Sequence, residues 1–465
     1  MPIAIIGGGI SGLSAAHYLL KAGLTKNIVL LEASNRLGGW VNSIKDPVTG
    51  ANFEKGPRTV RPYGLVGANT LELVEDLGLA TKVVPVLKTH PTAKNRLIYV
   101  GGKLHRLPTD LAGLFSTVPP FSRPLALGAL KDLFTPRKSC EDDTIYDFVC
   151  RRFGEELAEY LVSPLICGIC AGDARNISVK FLAPALFEAE QKYGLAVAGL
   201  FAKTEKPNMG ALANRAASEF WSVWSLEGGL ASLTDSLASN LQGVELRMNT
   251  PVEKLEFKKG RAELTLEGGG LLDCRHVISS LPATRLAKLV AHQHPKMATS
   301  LNSISHVTVA VVNLAYRGQV LKENAFGFLV PPSQKLPILG VIFDSCSFPR
   351  SDGLTVLTAM LGGHWFQEYF SQKNDDKHIL GVTLDNVNRV LGIEEEPVST
   401  HISVLKDCIP QYTVGHTKRV GDIFSYVKSN RLPLSLIGSS YKGVGINDVI
   451  MSSKNAVNHI QKELV

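Results

Sequence analysis

The chain has 465 residues, enough for about three domains at the usual ~150 residues each, so a single folding core is not expected. Its 45% hydrophobic and 20% charged residues exclude disorder as the main state, and its 42 glycines are mildly many, as where backbone must approach a ligand closely. The formal net charge of +7 comes with no nucleic-acid recognition motif, which argues against nucleic acid as a partner.

Ile3-Ala4-Ile5-Ile6 is a short apolar run of the kind that forms a strand buried on both faces. With a strand beginning at Pro2 or Ile3, no cleavable presequence is expected and any organelle address must be internal. The run leads into Gly7-Gly8-Gly9-Ile10-Ser11-Gly12, a G-x-G-x-x-G turn, and then Leu13, Ala16, Leu19 and Leu20 come at helical spacing. Gly23 can end that helix, and Ile28-Val29-Leu30-Leu31 reads as a second strand closing on Glu32. In such a βαβ unit Gly7 permits the tight turn, Gly9 lets a pyrophosphate approach the backbone, and Gly12 lets the helix pack closely on the strand. The helix N-terminus turns its positive end to the phosphates. Glu32, 20 residues beyond Gly12, can accept from both ribose hydroxyls and would repel a 2′-phosphate.

The segment from Glu32 onward selects the dinucleotide. Glu32-Ala33-Ser34-Asn35-Arg36-Leu37-Gly38-Gly39-Trp40 resembles the E-x-x-x-R-x-G-G segment of the flavin amine oxidases, phytoene desaturases and protoporphyrinogen oxidases. In physical terms Arg36 offers phosphate a planar donor fork, and Gly38-Gly39 brings bare backbone to the ligand. No second strand-led G-x-G-x-x-G occurs, and Gly268-Gly269-Gly270 reads as a turn between strands. FAD is therefore the expected cofactor, one per chain and non-covalent. The expected contacts are Gly7, Gly8, Gly9, Ile10, Ser11, Gly12, Glu32, Ala33, Arg36, Gly39 and Trp40.

Residues 88 to 138 carry nine cations (Lys88, Lys94, Arg96, Lys103, Arg106, Arg123, Lys131, Arg137, Lys138) against Asp110 and Asp132. Apolar patches lie among them: Leu111-Ala112-Gly113-Leu114-Phe115, Pro119-Pro120-Phe121 and Leu125-Ala126-Leu127-Gly128-Ala129-Leu130. The combination suits monotopic attachment at a membrane interface, while a solvated basic face over buried core helices is the plainer reading. No run of ~18 apolar residues exists, so no transmembrane helix is expected. Seven scattered cysteines fit a reducing compartment. Cys167-Gly168-Ile169-Cys170 has redox spacing but no second cysteine pair for zinc; it reads as structural or pocket-lining, and no metal site is expected. Residues 90 to 195 read as mainly helical and 290 to 420 as mainly β.

Leu226-Glu227-Gly228-Gly229-Leu230 introduces Leu230, Leu233, Leu237 and Leu241 on one helical face, before a strand at 244–248, a hairpin at 252–266 and a strand at 277–282. Leu434-Ser435-Leu436-Ile437-Gly438 reads as a buried strand, and Tyr441-Lys442-Gly443-Val444-Gly445-Ile446-Asn447-Asp448 precedes a closing helix over 449–465. In the flavin amine oxidases and their kin these blocks return to the FAD domain. The resemblance implies Val252 near adenine and Val444, Gly445 and Ile446 at the pyrimidine edge of the flavin, where a helix start suits the charge of reduction.

More specific segments resemble the animal-type protoporphyrinogen oxidase family: Phe53-Glu54-Lys55-Gly56-Pro57-Arg58, Asn95-Arg96-Leu97-Ile98-Tyr99-Val100-Gly101-Gly102, Gly168-Ile169-Cys170-Ala171-Gly172-Asp173, Phe326-Gly327-Phe328-Leu329-Val330-Pro331, Met360-Leu361-Gly362-Gly363-His364-Trp365 and Cys408-Ile409-Pro410-Gln411-Tyr412-Thr413-Val414-Gly415-His416. The resemblance implies oxidation of a porphyrinogen by three two-electron steps, with O2 as acceptor and three hydrogen peroxide as co-product, in haem biosynthesis. It implies that Arg96 holds a propionate, that Phe326, Leu329, Leu165 and Met360 enclose the rings, and that Gly168 leaves room for them. Gly56, Pro57, Arg58 and Thr59 are implied flavin neighbours. Cys167 stands where some animal relatives carry a basic residue, so a second propionate contact there is not assigned, and no residue is assigned as acid or base.

The implied fold class is mixed α/β: a discontinuous Rossmann-like FAD domain (1–85, 215–288, 425–465), a helical membrane-associated domain (90–195), and a β-rich substrate domain (196–214, 289–424). Implied partners are the inner mitochondrial membrane surface, to which the protein attaches peripherally, a second copy in a homodimer, and ferrochelatase. Two other readings stay open: an amine oxidase sharing the FAD segments, and a prenyl-Rab-binding protein of the GDP-dissociation-inhibitor type, which reuses the fold without redox chemistry.

Overall fold

A computed structural model describes residues 1–24, 27–201, 210–348 and 353–464. The part of the 196–214 assignment that falls on 202–209 lies outside the described residues. The chain forms a mixed α/β structure around a parallel sheet whose strands run Leu434–Leu436, His276–Ser279, Ile3–Ile6, Ile28–Leu31, Val244–Arg247. The amino-terminal strand sits in the centre and is wholly buried because side chains alternate across it. Ile3 and Ile5 join the core under the helices, with Leu13, Leu19 and Leu233; Ala4 and Ile6 join the opposite core, with Leu255, Leu264 and Leu286. A run apolar at every position is what such two-sided burial requires.

On the first face lie the helices Ile10–Lys21, Gly64–Asp76, Ala231–Ser239 and Ile446–Leu464. The last begins three residues earlier than the sequence pattern suggests, at Ile446 rather than Val449. On the second face lies an antiparallel meander, Val252–Lys258, Arg261–Leu266 and Leu271–Cys274, with the Gly268–Gly270 turn before its third strand.

A second sheet has seven strands in the order Ser399–Pro410, His306–Arg317, Leu354–Gly363, Ile338–Phe343, Gly327–Leu329, Leu97–Val100, Lys103–Arg106. The final two lie within 90–195, a stretch that is otherwise mainly helical, as expected. Leu97, Ile98 and Tyr99 are buried, and Gly101 and Gly102 both take positive φ (59° and 80°), the geometry of a two-residue hairpin turn that glycines adopt without steric cost. The hairpin then pairs Leu97 and Ile98 in parallel with Phe328 and Leu329. Residues 290–420 likewise hold more than strands: the helix Asp376–Leu391, capped by the Asp375 side chain and ended by Gly392 at φ 66°, packs Ile379 and Val387 onto the sheet core.

Helices Ala126–Phe134, Ile145–Phe153, Ser163–Cys170 and Pro184–Tyr193 lie in the stretch from 126 to 193. Fully buried Arg152 ties three of them, donating to Asp132 Oδ1 at 2.8 Å and Glu190 Oε1 at 2.6 Å. A charge at that depth persists only when paired. Among the described residues no helix is long and apolar enough to cross a membrane.

Candidate active site

The glycine turn between the first strand and helix is built as a cradle. Gly7 has φ 99°, and a Cβ on Gly12 would lie 1.9 Å from Gly7 O, so the helix meets the strand with no space for a side chain. Ser280 Oγ, a contact not anticipated from sequence, donates to Ile6 O at 2.9 Å and Gly7 O at 3.0 Å and holds the turn. Gly9 differs: a Cβ there would meet only Gly39 Cα, at 3.8 Å. The helix starting at Ile10 has no side-chain cap and no acid in its first turn, which leaves donors free at its positive end. Open space in front of Gly9 and uncapped N–H groups fit a pyrophosphate.

Glu32 ends the second strand beside the turn. Its Oε2 accepts from Gly8 N at 2.7 Å, and its Oε1 from Ser34 N at 2.9 Å and Ser34 Oγ at 2.7 Å. Thr250 N donates to Glu32 O and Asn249 N to Ser34 O, which brings Val252 to the side of this acid, while Ala33 is exposed. Arg36 does not hold its fork open. It donates to Leu37 O at 2.7 Å, to Val41 O at 3.2 Å and to Gly39 O, so its donors brace the Gly38-Gly39 loop. That loop pairs back on the turn through Gly38 N to Gly8 O at 2.8 Å. Trp40 is exposed, and Gly56 passes so close beneath it that a Cβ would lie 2.1 Å from Trp40 O.

From Gly56 the chain runs through Pro57 to Arg58, which is buried and pairs through Nη1 with Asp344 Oδ1 at 2.6 Å. Asp344 Oδ2 accepts from Thr358 Oγ1 at 2.7 Å; Asn313 Nδ2 donates to that hydroxyl at 2.8 Å and to Glu54 O at 3.1 Å. The Glu54 carboxylate accepts from Ser43 Oγ at 2.7 Å and Leu230 N at 2.9 Å, next to Gly229. Burial pushes the Glu54 carboxyl up to about 7, against the opposing pull of Ser43, the Leu230 amide and the Arg58 charge. Asp344, Glu54 and Asn313 carried no sequence signal of this role.

The third wall is the turn before the closing helix. Gly443 N donates to Tyr412 Oη at 2.7 Å, Tyr412 donates to Ser439 O, and His416 stacks on Tyr412 with ring centroids 3.8 Å apart. His416 bonds through Nε2 to Tyr441 O at 3.1 Å, and burial holds its pKa down at about 4. Gly445 N donates to Asp448 Oδ2 at 3.2 Å, Val444 and Ile446 are half-buried beside it, and burial raises the Asp448 carboxyl above its ordinary range.

Leu165, Gly168, Leu329 and Met360 come from distant segments. A Cβ on Gly168 would lie 3.0 Å from Leu329 Cδ2, and a Cβ on Gly340 2.9 Å from the same atom, while Gly340 pairs in register with Met360. Leu165 is half-buried and Gly168 exposed, one helical turn apart on the Ser163–Cys170 helix. Arg96 lies over the Phe326 ring, 5.9 Å from its centroid. A cavity of about 120 Å³ is lined by Thr59, Arg61, Arg96 and Phe326, and a smaller one of about 20 Å³ by Cys167, Leu339 and Trp365. Cys167 and Cys170 are buried free thiols; burial raises both, Cys170 to about 12, which removes the thiolate that redox chemistry needs.

Residues 10–461 match the family described as flavin containing amine oxidoreductase. The chain is 41% identical to protoporphyrinogen oxidase of Bos taurus over 98% of both chains, and 40% identical to that of Homo sapiens over 98% of this chain and 97% of the relative. It is 29% identical to a coproporphyrinogen III oxidase of Bacillus subtilis over 98% of this chain and 97% of the relative. Among solved structures, one from Exiguobacterium described as a protoporphyrinogen oxidase superposes with TM-score 0.79 at 26% identity, covering 99% of each chain. Cyclohexylamine oxidase of Brevibacterium oxydans superposes with TM-score 0.69 at 17% identity, covering 100% of this chain and 99% of that one, and shares the fold alone.

Proposed function

The chain belongs to the flavin containing amine oxidoreductase family, within its protoporphyrinogen oxidase branch, and from that premise we propose that it oxidises protoporphyrinogen IX to protoporphyrin IX. The overall change removes six electrons in three two-electron steps and turns three O2 into three hydrogen peroxide. The observation that carries this reading is the near end-to-end identity of about 40% with the mammalian protoporphyrinogen oxidases. FAD, when bound, supplies the two-electron acceptor.

The protein's own residues bind, orient and exclude water. The amides at the start of the Ile10–Lys21 helix receive the pyrophosphate at the open face of Gly9, and the Glu32 carboxylate takes the ribose hydroxyls. Arg36 supports the loop from behind. Leu165, Phe326, Leu329 and Met360 clamp the macrocycle, Gly168 gives it room, and Arg96 holds a propionate at the rim by a charged hydrogen bond worth about 1.5–3 kcal/mol. No residue is assigned as acid or base, in keeping with a reaction whose product gains aromaticity and which depends on positioning.

The protein attaches peripherally to the inner mitochondrial membrane through the Ala126–Phe134 helix. That helix turns Gly128 and Asp132 inward and leaves Leu127, Leu130, Leu133 and Phe134 exposed, with Phe134 85% accessible. Phe115 and Phe201 are also exposed, and Lys131 and Arg137 flank the patch. Apolar side chains ringed by cations suit the interface of an anionic bilayer. A homodimer and transfer of product to ferrochelatase rest on the resemblance alone.

Anaerobic mixing of the purified holoprotein with protoporphyrinogen tests the reading. Flavin bleaching with matching growth of porphyrin fluorescence is expected. Bleaching by primary amines but not by protoporphyrinogen would overturn it.

A further inference from the structure

We propose that Arg61 and Arg96 together form a two-guanidinium site that receives the two carboxylates of a dicarboxylic porphyrinogen, with Arg61 the specificity-determining member; this rests on the proposed function. The two residues come from separate segments yet line the same cavity of about 120 Å³, beside Thr59, Ser222 and Phe326. Among the described residues neither side chain forms an ion pair with a carboxylate, whereas Arg58, Arg151 and Arg152 each do. Both are exposed, and the Arg96 guanidinium is held below its ordinary pKa by desolvation first and by the charge of Arg61 second. Two like charges facing one cavity without a counter-ion repel each other until an anion enters.

The pair is held from the backbone. Val60 and Trp224 exchange two main-chain hydrogen bonds of 2.9 Å, and Asn447 Nδ2 donates to Arg61 O at 2.8 Å, so Arg61 is fastened to the first turn of the closing helix. On the other side Leu107 N donates to Arg96 O at 2.9 Å, Phe326 N to Asn95 O at 3.0 Å, and Asn95 Nδ2 to Asn324 O at 2.8 Å. The backbone positions that carry the two guanidiniums are thus fixed by the fold before a ligand arrives. The cavity is too small for a tetrapyrrole but suits carboxylate arms, and Phe326, which lines it, is followed directly by the strand that carries Leu329. A guanidinium can grip each carboxylate with a parallel pair of donors.

The experiment compares Arg61→Met and Arg61→Lys with the wild-type holoprotein on protoporphyrinogen IX and on its dimethyl ester. Arg61→Met is expected to raise KM for the diacid about tenfold or more, while kcat falls less than about threefold, as for a charged hydrogen bond used in binding. The ester's KM moves less than about twofold, and Arg61→Lys recovers part of the loss. Equal effects on diacid and ester, an unchanged diacid KM, or loss of FAD from Arg61→Met would overturn the proposal. Direct titration with protoporphyrin IX and its dimethyl ester, followed by fluorescence, separates this inference from the reading it rests on. Were the wild type to fail to oxidise protoporphyrinogen, diacid binding weakened by Arg61→Met would still support the two-arginine site, and binding indifferent to Arg61 would overturn it.

Discussion

Arg58 and Asp344, 286 residues apart in sequence, meet at 2.6 Å between Nη1 and Oδ1, with side chains only 6% and 17% accessible. The pair joins the segment beside the cofactor cradle to the seven-stranded sheet that carries Phe328, Leu329 and Met360. Removing one partner of a buried pair leaves the other charge unpaired, so Asp344→Ala is expected to cost about 3 kcal/mol of unfolding free energy. Denaturant unfolding of the single variants and of Arg58→Met/Asp344→Ala checks this. A coupling below roughly 0.5 kcal/mol would mean the pair is incidental.

Gly9 and Gly12 should respond in opposite ways to alanine. Gly9 has φ −70°, accessible to any residue, and its Cβ would meet only Gly39 Cα at 3.8 Å. Gly9→Ala is therefore expected to fold normally and weaken FAD binding about tenfold or more, because the methyl occupies the approach of the pyrophosphate. Gly12→Ala drives a methyl to 1.9 Å from a backbone oxygen and should lose about 3 kcal/mol or fail to fold. Thermal melts and flavin content measure both. A Gly12→Ala protein as stable as wild type would contradict the packing argument.

Glu54 links stability to pH. Its folded pKa of about 7 lies above its ordinary value of 4.5, so the folded state holds the proton more tightly. Stability from this group is complete below pH 4.5 and is lost as pH rises through 7, by roughly 3 kcal/mol in all. His276 and His416, both held down at about 4, act with the opposite sign, losing stability as pH falls below 6.5. Subtracting the unfolding curve of Glu54→Gln from that of wild type cancels the histidines. The difference should favour wild type at about pH 5 relative to about pH 8, and a flat difference would reject the shift.

Phe134 and Phe201, 85% and 82% accessible, carry little packing to lose. Phe134→Ser/Phe201→Ser is expected to keep the wild-type melting temperature while weakening association with phosphatidylserine-containing vesicles by about tenfold or more, since each ring contributes about 1.5 kcal/mol on entering the interface. Co-sedimentation with vesicles reads the change. Equal sedimentation of variant and wild type would remove this face from the attachment site.

The amino-terminal strand, glycine turn, helix and second strand were legible in sequence because each depends on local causes: burial on both faces, positive φ and close approach at glycine, and helical spacing. Glu32 could be read for the same reason, at a set distance from Gly12. Motif likeness singled out Leu329 and Gly168, and the fold sets them side by side, a Cβ on Gly168 lying 3.0 Å from Leu329 Cδ2. The edge hairpin of Leu97–Val100 and Lys103–Arg106 escaped because a short apolar run acquires strand identity only from the sheet it joins. Arg58 with Asp344, Ser280 on the glycine turn, Glu54 beneath Leu230 and Arg61 facing Arg96 were decided by the tertiary structure alone. Charge coupling and hydrogen bonding fall off with distance in space, and sequence separation carries no information about that distance until the chain has folded.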